Sequence, residues 1–519
     1  MSLKQQASAG SEVNERMAAL VSNANAIRAI ASAVEGTLGP KGLDTMLVDK
    51  FGEVVITNDG VTILSMMEAN HPAARMLINI AKSQQEEIGD GTTTATVMAG
   101  ALVGHGVEQV ARGVPVSRVI EGLRSGIQAG IEAIKSRSAM VERVNDNVIR
   151  QVALIAGRGH GDIADLVVRA AEMVGREKLL DRNFKLADTI VAEEGAENRV
   201  FKGVIISKER MNRQMPVEIK NKPVLVIDDA LEPEDIGDEA LSTEAGFARY
   251  MELQNQFREN VFKLVEMGVG LVLADRGVDE AAEEILTDAG IMVVQRVMSG
   301  ELRKAAEHTG ARMIKRNGLK KEVEQLKGFL GRAGRVFNDE KLKQVWIQDG
   351  GGKSMATVLV GAATAEVVGE RERIARDAAA AVQAAIVGGV VSGGGSVELA
   401  AAGDVERIRT GMRGMAVYGV DCVVEALKRP MSQIVANAGF NPLEKLGDVI
   451  AAQSESGKGS LAVDCDTGEV KDMFEAGVLD PTLVKTHALK AAGEIAEAIL
   501  RIDTIIKKRE ERDRQDAES

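Results

Sequence analysis

Apolar positions recur at helical spacing from residue 14 to 34, in an Ala-rich stretch that predicts a helix. The pattern stops before the turn Gly36-Thr37-Leu38-Gly39-Pro40-Lys41-Gly42. Short runs at 46–48 and 53–57, placed around Lys50-Phe51-Gly52, read as a hairpin. Asn58-Asp59-Gly60 is a turn that opens a new helix. Further helices are predicted over 72–87, 94–111 and 116–138, the last two joined at Gly113-Val114-Pro115.

The middle of the chain changes character. Runs at 204–206, 224–227, 271–274 and 292–295 read as short buried strands, with helical stretches at 245–267 and 278–289 among them. That alternation predicts an α/β domain. Between strand and helix lies 228–244, DDALEPEDIGDEALSTE, with eight acidic residues and no basic one. On charge alone it reads as a solvated loop. Helical sequence returns at 366–386, followed by Gly388-Gly389 and Gly393-Gly394-Gly395. Helices are then predicted at 396–402, 411–428, 430–438 and 483–500. Residues 1–12 and 507–519 are polar or charged and predict frayed, solvated ends. The expected fold is therefore mainly α with an inserted α/β domain, the two flanks folding together.

Length and composition narrow this. A chain of 519 residues exceeds what one core supports, and about three domains are expected. Aromatic residues are only 3%, so the core is aliphatic, built from Ala, Val, Ile, Leu and 21 Met. That argues against aromatic stacking platforms for single-stranded nucleic acid. The net charge of −13 argues against a general binder of nucleic acid or anionic membranes. Cys422 and Cys465 make no disulfide framework, and the five histidines show no metal-ligand spacing. No apolar signal core opens the sequence, and no uninterrupted apolar run reaches the ~18 residues of a membrane span. A reduced, cytoplasmic setting is expected.

Several glycine-rich segments have the chemistry to cradle phosphate. Gly350-Gly351-Gly352-Lys353-Ser354 ends like a P-loop, but the required first glycine falls at Ile347. It reads as an interdomain turn. The stronger segment is Gly89-Asp90-Gly91-Thr92-Thr93-Thr94-Ala95-Thr96. Its glycines let backbone approach an anion, and its hydroxyls stand at a helix start, where free N–H groups favour phosphate. Asp90 would repel bare phosphate and makes sense beside a cation such as Mg²⁺. The plain alternative is a helix cap with threonine hydroxyls. Thr37 to Gly42, Thr57-Asn58-Asp59-Gly60 and the glycine triplet are each ordinary turn chemistry taken alone.

Taken together, TLGPKGLDTMLVD, ITNDGVTIL, GDGTTTATV, SGGGSVELA and GVLDPTLVK, in this order and at these separations, resemble a chaperonin, the ring-forming ATP-driven folding machine. The similarity runs from about residue 14 to 506, and HPAAR near residue 71 with AILRIDTII near the end resembles the thermosome-like branch (group II and its relatives). The resemblance implies three domains: equatorial (1–141 and 390–519), intermediate (142–200 and 351–389) and apical (201–350). It places a built-in lid at about 228–257, so no separate lid co-chaperonin is needed.

The resemblance also implies roles. Asp90 matches the acid that holds Mg²⁺ on ATP, and Gly91, Thr92, Thr93 and Thr94 match phosphate contacts. Leu38, Gly39 and Pro40 match the turn beside the phosphates and adenosine. Asp59 matches an acid that helps position the attacking water, and Asp377 the acid that orients or activates it. Gly394 and Gly395 match backbone contacts to nucleotide, Asp480 the ribose-binding acid, and Asp464 the stretch at the adenine. A thermosome-like lysine that senses the γ-phosphate is replaced by Arg158, in Ala156-Gly157-Arg158-Gly159-His160. Arginine binds phosphate through a fork that lysine lacks. Asp377 and Asp90 are expected in different domains, so that closure completes the site. This departure, and Ala385-Ile386-Val387-Gly388-Gly389 before the triplet, resemble the divergent group III branch. The implied assembly is a homo-oligomeric double ring of about eight subunits each, about sixteen in all, acting on unfolded client proteins. Two rivals are a metabolic ATP-using enzyme, for which no clamp motif is present, and a non-hydrolysing scaffold, against which Asp59, Asp90 and Asp377 weigh together.

Overall fold

The computed structural model describes residues 11–13, 16–48, 52, 54–234 and 243–508. It divides into two compact units, one of Met1–Val168, Arg176–Asp188 and Gly369–Ser519, the other of Arg169–Gly175 and Thr189–Val368. The fold is mainly helical with a mixed sheet in the second unit, as the sequence pattern implies.

In the first unit, helices Arg16–Glu35, Pro72–Glu87, Thr92–Ala111, Val116–Ser136, Ser396–Gly411, Val417–Asn437 and Thr482–Leu500 share one aliphatic core. Leu20, Ile27, Leu77, Met98, Leu102, Leu123, Leu427 and Leu489 are fully or almost fully buried there. The stretch Met17–Glu35 is long and apolar enough to cross a membrane by composition alone. Its Leu20, Ile27 and Val34 are instead packed into this core. Chain-distant segments interleave: Gly122 and Gly419 bring two helices so close that a Cβ on either would meet the other's backbone carbonyl at about 2 Å (1.9 and 2.1 Å). The hairpin forms in the expected place, Thr45–Val48 against Val54–Thr57, antiparallel.

The second unit is built on an eight-stranded sheet in the order Ile190–Glu194, Ala356–Ala362, Arg199–Ile206, Gln344–Gly350, Gly331–Asp339, Glu218–Ile227, Leu271–Ala274, Met292–Val294. The last three strands run parallel, and their residues 224–227, 271–274 and 292–294 are buried on both faces, hence these uninterrupted apolar runs. Leu225, Ile227, Val272 and Val293 pack with Phe257, Val261 and Leu286 of helices Glu244–Glu266 and Glu280–Asp288. Val224, Val226, Leu271 and Met292 point the other way, toward Leu302 and Ala305 of helix Ser299–Thr309.

Several expectations need correction. Ser11–Val13 pairs antiparallel with Ile506–Lys508, where frayed ends were expected at 1–12 and 507–519. Long-range pairing leaves no local sequence signature. The break expected between 411–428 and 430–438 is absent: Val417–Asn437 is one helix with Pro430 buried inside it. Helix Ser396–Gly411 outruns its expected end at 402. Gly350-Gly351-Gly352-Lys353-Ser354 lies inside the second unit, joining strands Gln344–Gly350 and Ala356–Ala362 of one sheet. Of the acidic segment 228–244, residues 235–242 lie outside the described residues. Its described flank is ion-paired, Glu232 to Arg316 at 3.0 Å and Glu234 to Lys320 at 2.6 Å.

Candidate functional site

The motif segments, scattered over the sequence, meet in the first unit. Helix Thr92–Ala111 starts at Gly91, whose left-handed φ of 79° leaves it no side-chain cap. A Cβ there would sit 2.5 Å from Val484 Cγ1 and 3.2 Å from Gln84 Nε2, so the position is closed to any side chain. The free N–H groups of Thr92, Thr93 and Thr94 therefore mark an anion-accepting helix start. Gly60, which begins helix Gly60–Met66, lies against this start: its missing Cβ would stand 2.4 Å from Thr93 Oγ1.

Asp59 caps that second helix. Its carboxylate accepts from Val61 N at 3.3 Å, Thr62 N at 3.1 Å and Thr62 Oγ1 at 2.6 Å. Asp90 Oδ1 accepts from Gly91 N at 2.6 Å. Asp377 lies on helix Ala365–Gly388, and Ala380 of the same helix abuts Gly89. Its carboxylate stands 3.9 Å from Arg158 Nη2, while Arg158 Nη1 donates to Glu370 at 2.8 Å. Arg158 occupies left-handed backbone (φ 53°) just after helix Asn147–Ala156.

The electrostatics register how close these acids are. Burial pushes the Asp377 carboxyl well above the carboxylate range, and Asp59 and Asp90 push it further, against Arg158 and a hydrogen bond from Gln85. Asp90 is pushed up to about 6, by burial first and then by Asp480, against the Gly91 N–H, Lys485 and Arg158. Asp377 and Asp90 lie within one compact unit, and the charge of Asp90 contributes to raising Asp377.

Asp480, on strand Leu479–Pro481, carries a second set of contacts. Lys485 Nζ lies 2.7 Å from Asp480 and 2.8 Å from Glu398, with Lys485 8% and Glu398 1% exposed. Burial pulls the Lys485 ammonium down, but the two carboxylates outweigh it and hold it charged well above its usual range. Glu398 stands in the first turn of helix Ser396–Gly411, which starts on left-handed Gly395, again without a side-chain cap. A Cβ on Gly395 would strike Met431 N at 2.8 Å, and one on Gly393 would stand 2.9 Å from Asp480 Oδ2. Gly394 is left-handed as well (φ 65°).

The turn carrying Leu38, Gly39 and Pro40 is pinned to helix Val417–Asn437. Asn437 Nδ2 donates to Glu35 O and Leu38 O at 2.9 and 2.8 Å, and Gly39 packs on Ile434. Lys41 of this turn pairs with Asp466 at 2.6 Å. Asp464, expected at the adenine, turns into its own hairpin, accepting from Lys471 Nζ at 2.6 Å and Asp466 N at 2.8 Å. These contacts, Lys471 foremost, hold its carboxyl below the usual range. Sequence reading missed Lys485, Glu398, Gln84 and His487. Glu398 had a signal: an acid surrounded by apolar helical neighbours in Ser396-Val397-Glu398-Leu399-Ala400 needs a buried partner.

A helical unit with helix starts on left-handed glycines beside clustered acids, its chain interrupted by an α/β unit, fits a chaperonin subunit. The chain belongs to the TCP-1/cpn60 chaperonin family, which matches residues 30–510, and is an ATP-driven chaperonin. It is 32% identical over 506 residues to a thermosome subunit of Methanopyrus kandleri, covering 94% of this chain and 92% of that one. It is 35% identical over 504 residues to thermosome subunit alpha of Archaeoglobus fulgidus (93% and 91% covered). The crystal structure of a group III chaperonin in the open state is similar at 46% identity and a TM-score of 0.87, covering 95% of this chain and 99% of that chain.

Proposed function

We propose that this chain is a magnesium-dependent ATPase whose turnover drives the enclosure and folding of unfolded client proteins. The observation that carries this is the convergence of Asp59, Asp90 and Asp377 on the uncapped start of helix Thr92–Ala111. Phosphoryl transfer to water needs positioning and charge neutralisation more than covalent chemistry.

The residues fit a magnesium ion. Asp90 is a hard oxygen donor whose raised pKa marks a carboxylate short of counter-charge. No group of three or more His, Cys, Asp or Glu among the described residues could hold a metal by itself. That suits a cation sharing Asp90 with phosphate oxygens and water. When bound, magnesium neutralises phosphate charge. Gly91 and the N–H groups of Thr92, Thr93 and Thr94 bind phosphate oxygens. Leu38, Gly39, Pro40, Gly394 and Gly395 line the nucleotide with backbone. Asp480 accepts from the ribose hydroxyls, and the hairpin of Asp464 borders the adenine.

Asp377, raised well above the carboxylate range, has the affinity for a proton that a general base at the attacking water requires. Asp59 has both oxygens engaged as a cap, so it acts as a fixed charge that orients the water. Arg158, already beside Asp377, swings its fork to the γ-phosphate.

The three-domain division implied by the resemblance is proposed to stand, with the apical part and its lid at about 228–257 meeting the client. Subunits are proposed to assemble as a homo-oligomeric double ring in the cytoplasm. Hairpin pairs Met46/Ile56 and Val48/Val54 present a solvent-exposed apolar face, which a neighbouring subunit would cover. Two tests apply. Asp377→Ala should nearly abolish ATP turnover while ATP binding persists, and persistent turnover would overturn its role. Light scattering with ATP and magnesium should give about sixteen times 55.2 kDa, roughly 0.9 MDa; a stable monomer would overturn the ring.

A further inference from the structure

The Asp90–Gly91 peptide is gripped from both sides. Its N–H donates to the Asp90 carboxylate at 2.6 Å, which fixes the direction of that side chain. Its C=O accepts from Gln84 Nε2 at 2.7 Å. Gln84 is fully buried, and its own backbone carbonyl accepts from Ile88 N and Gly89 N at 3.0 and 3.1 Å. One residue thus holds three consecutive residues of the turn, 88 to 90.

The remaining atom of the Gln84 amide is also committed. Gln84 Oε1 lies 2.5 Å from His487 Nδ1. Because Nε2 must face a carbonyl, Oε1 must be the acceptor here, and His487 Nδ1 must carry its proton. On its other side His487 Nε2 lies 2.8 Å from Glu87. His487 sits three residues beyond Val484, the side chain that closes the space over Gly91, so one face of helix Thr482–Leu500 carries both contacts.

We propose that Gln84, oriented by His487, is a positioning residue for the Asp90 carboxylate. A left-handed glycine after Asp90 leaves the 90–91 peptide free to rotate by about half a turn at little steric cost. Rotation would take the N–H away from the carboxylate and release it. The hydrogen bond to the C=O blocks that rotation, so Gln84 keeps Asp90 aimed without touching nucleotide or cation itself. This inference rests on Asp90 being the cation-holding acid.

The test is an equilibrium titration on the full chain: binding of a fluorescent ATP analogue with Mg²⁺ varied, and in EDTA without it. Gln84→Met keeps length and volume and removes both amide contacts. It should weaken the Mg²⁺ requirement curve about five- to thirty-fold, the range expected for one buried hydrogen bond, while affinity in EDTA stays within about two-fold. His487→Leu should shift the curve in the same direction and His487→Asn, whose amide can replace Nδ1–H, should restore it. Equal losses with and without Mg²⁺, or no shift in Gln84→Met, overturn the positioning role. Asp90→Asn separates the two readings. If it leaves the Mg²⁺ curve unchanged, the assignment of Asp90 fails and the inference with it; if it shifts the curve while Gln84→Met does not, only the inference fails. Gln84→Glu, which keeps the fold-compatible shape but puts a second acceptor against the Asp90 carbonyl, should reproduce the shift should Gln84→Met not fold.

Discussion

Asp90 should destabilise the nucleotide-free protein at neutral pH, and Asp90→Asn should therefore stabilise it. The carboxyl is pushed from 3.8 to about 6 by burial and Asp480. Folding at pH 8 ionises it in a place that disfavours the ion. The difference corresponds to at most about 3 kcal/mol, and for a part-exposed side chain about 2 kcal/mol is the expected gain. The sign follows from proton uptake. A carboxyl with a raised folded-state pKa stabilises the fold below its unfolded value near 4, and this contribution is lost as pH rises through about 6. The variant's advantage should be full at pH 8 and shrink toward pH 4. The assay is denaturant unfolding without nucleotide, followed by two probes. Far-UV dichroism is dominated by the helical unit that holds Asp90, while Trp346, the only tryptophan of the chain, reports the sheet unit alone. The shift should appear in the first signal and not the second. An Asp90→Asn protein no more stable than the parent at pH 8 would refute the reading of Asp90 as a carboxylate lacking its counter-charge.

Other expected outcomes follow from particular contacts. Lys485→Met leaves Glu398 and Asp480 buried without their cation and should cost about 3–5 kcal/mol in the dichroism transition; adding Glu398→Gln should recover part of it. His308 is buried and neutral, accepting from Gly350 N at 3.0 Å through Nε2, and burial pushes its pKa down. Its contribution is therefore present above about 6.5 and lost as pH falls, so Trp346 unfolding should weaken below that pH, and less in His308→Gln. Charging the exposed hairpin face with Met46→Asp and Ile56→Asp should leave the monomer's dichroism intact and lower the native mass measured by light scattering.

Much of the helical unit was legible because its helices carry both period and punctuation. Pro72–Glu87 matches its sequence reading, and in the sheet unit Glu280–Asp288 nearly does, since a capping His71 or Asp279 and an apolar stripe mark each start. Helix Pro442–Ser456 had the same marks, Asn441 as cap and Pro442 in the first turn, and was passed over. The strands Gly331–Asp339, Gln344–Gly350 and Ala356–Ala362 were illegible for a different reason. Gly331 and Gly334 interrupt the first, and what fixes it is pairing to Glu218–Ile227 and Gln344–Gly350, over a hundred residues and a few residues away respectively. In the site, Asp59 and Asp377 came through resemblance, since each alone looks like a cap or a surface acid, whereas Asp90 in its glycine-rich helix start already pointed to a cation. Lys485 and Gln84 escaped because a helix-borne Lys or Gln reads as solvent-facing until its burial is known.

The two helix starts assigned to nucleotide have a common construction that explains why they can serve it. Helices Asn147–Ala156, Glu244–Glu266 and Pro442–Ser456 are closed by a side chain, Asp146, Thr243 and Asn441 respectively. Helices Thr92–Ala111 and Ser396–Gly411 instead begin on a left-handed glycine, and neither has a side-chain cap. A Ser or Asp at either position would satisfy the open N–H groups and stabilise the helix by about 1 kcal/mol. Packing forbids it, because Val484 and Met431 fill the space a Cβ would need. The same neighbours that exclude a cap keep the N–H groups free, so the unmet hydrogen bonds of the empty protein become binding energy for an anionic ligand. The buried acids act in the opposite sense, repelling a bare anion. On the proposed assignment, Asp90 and Asp377 stay disfavoured until positive charge arrives with the phosphates, and nucleotide and cation binding become mutually dependent.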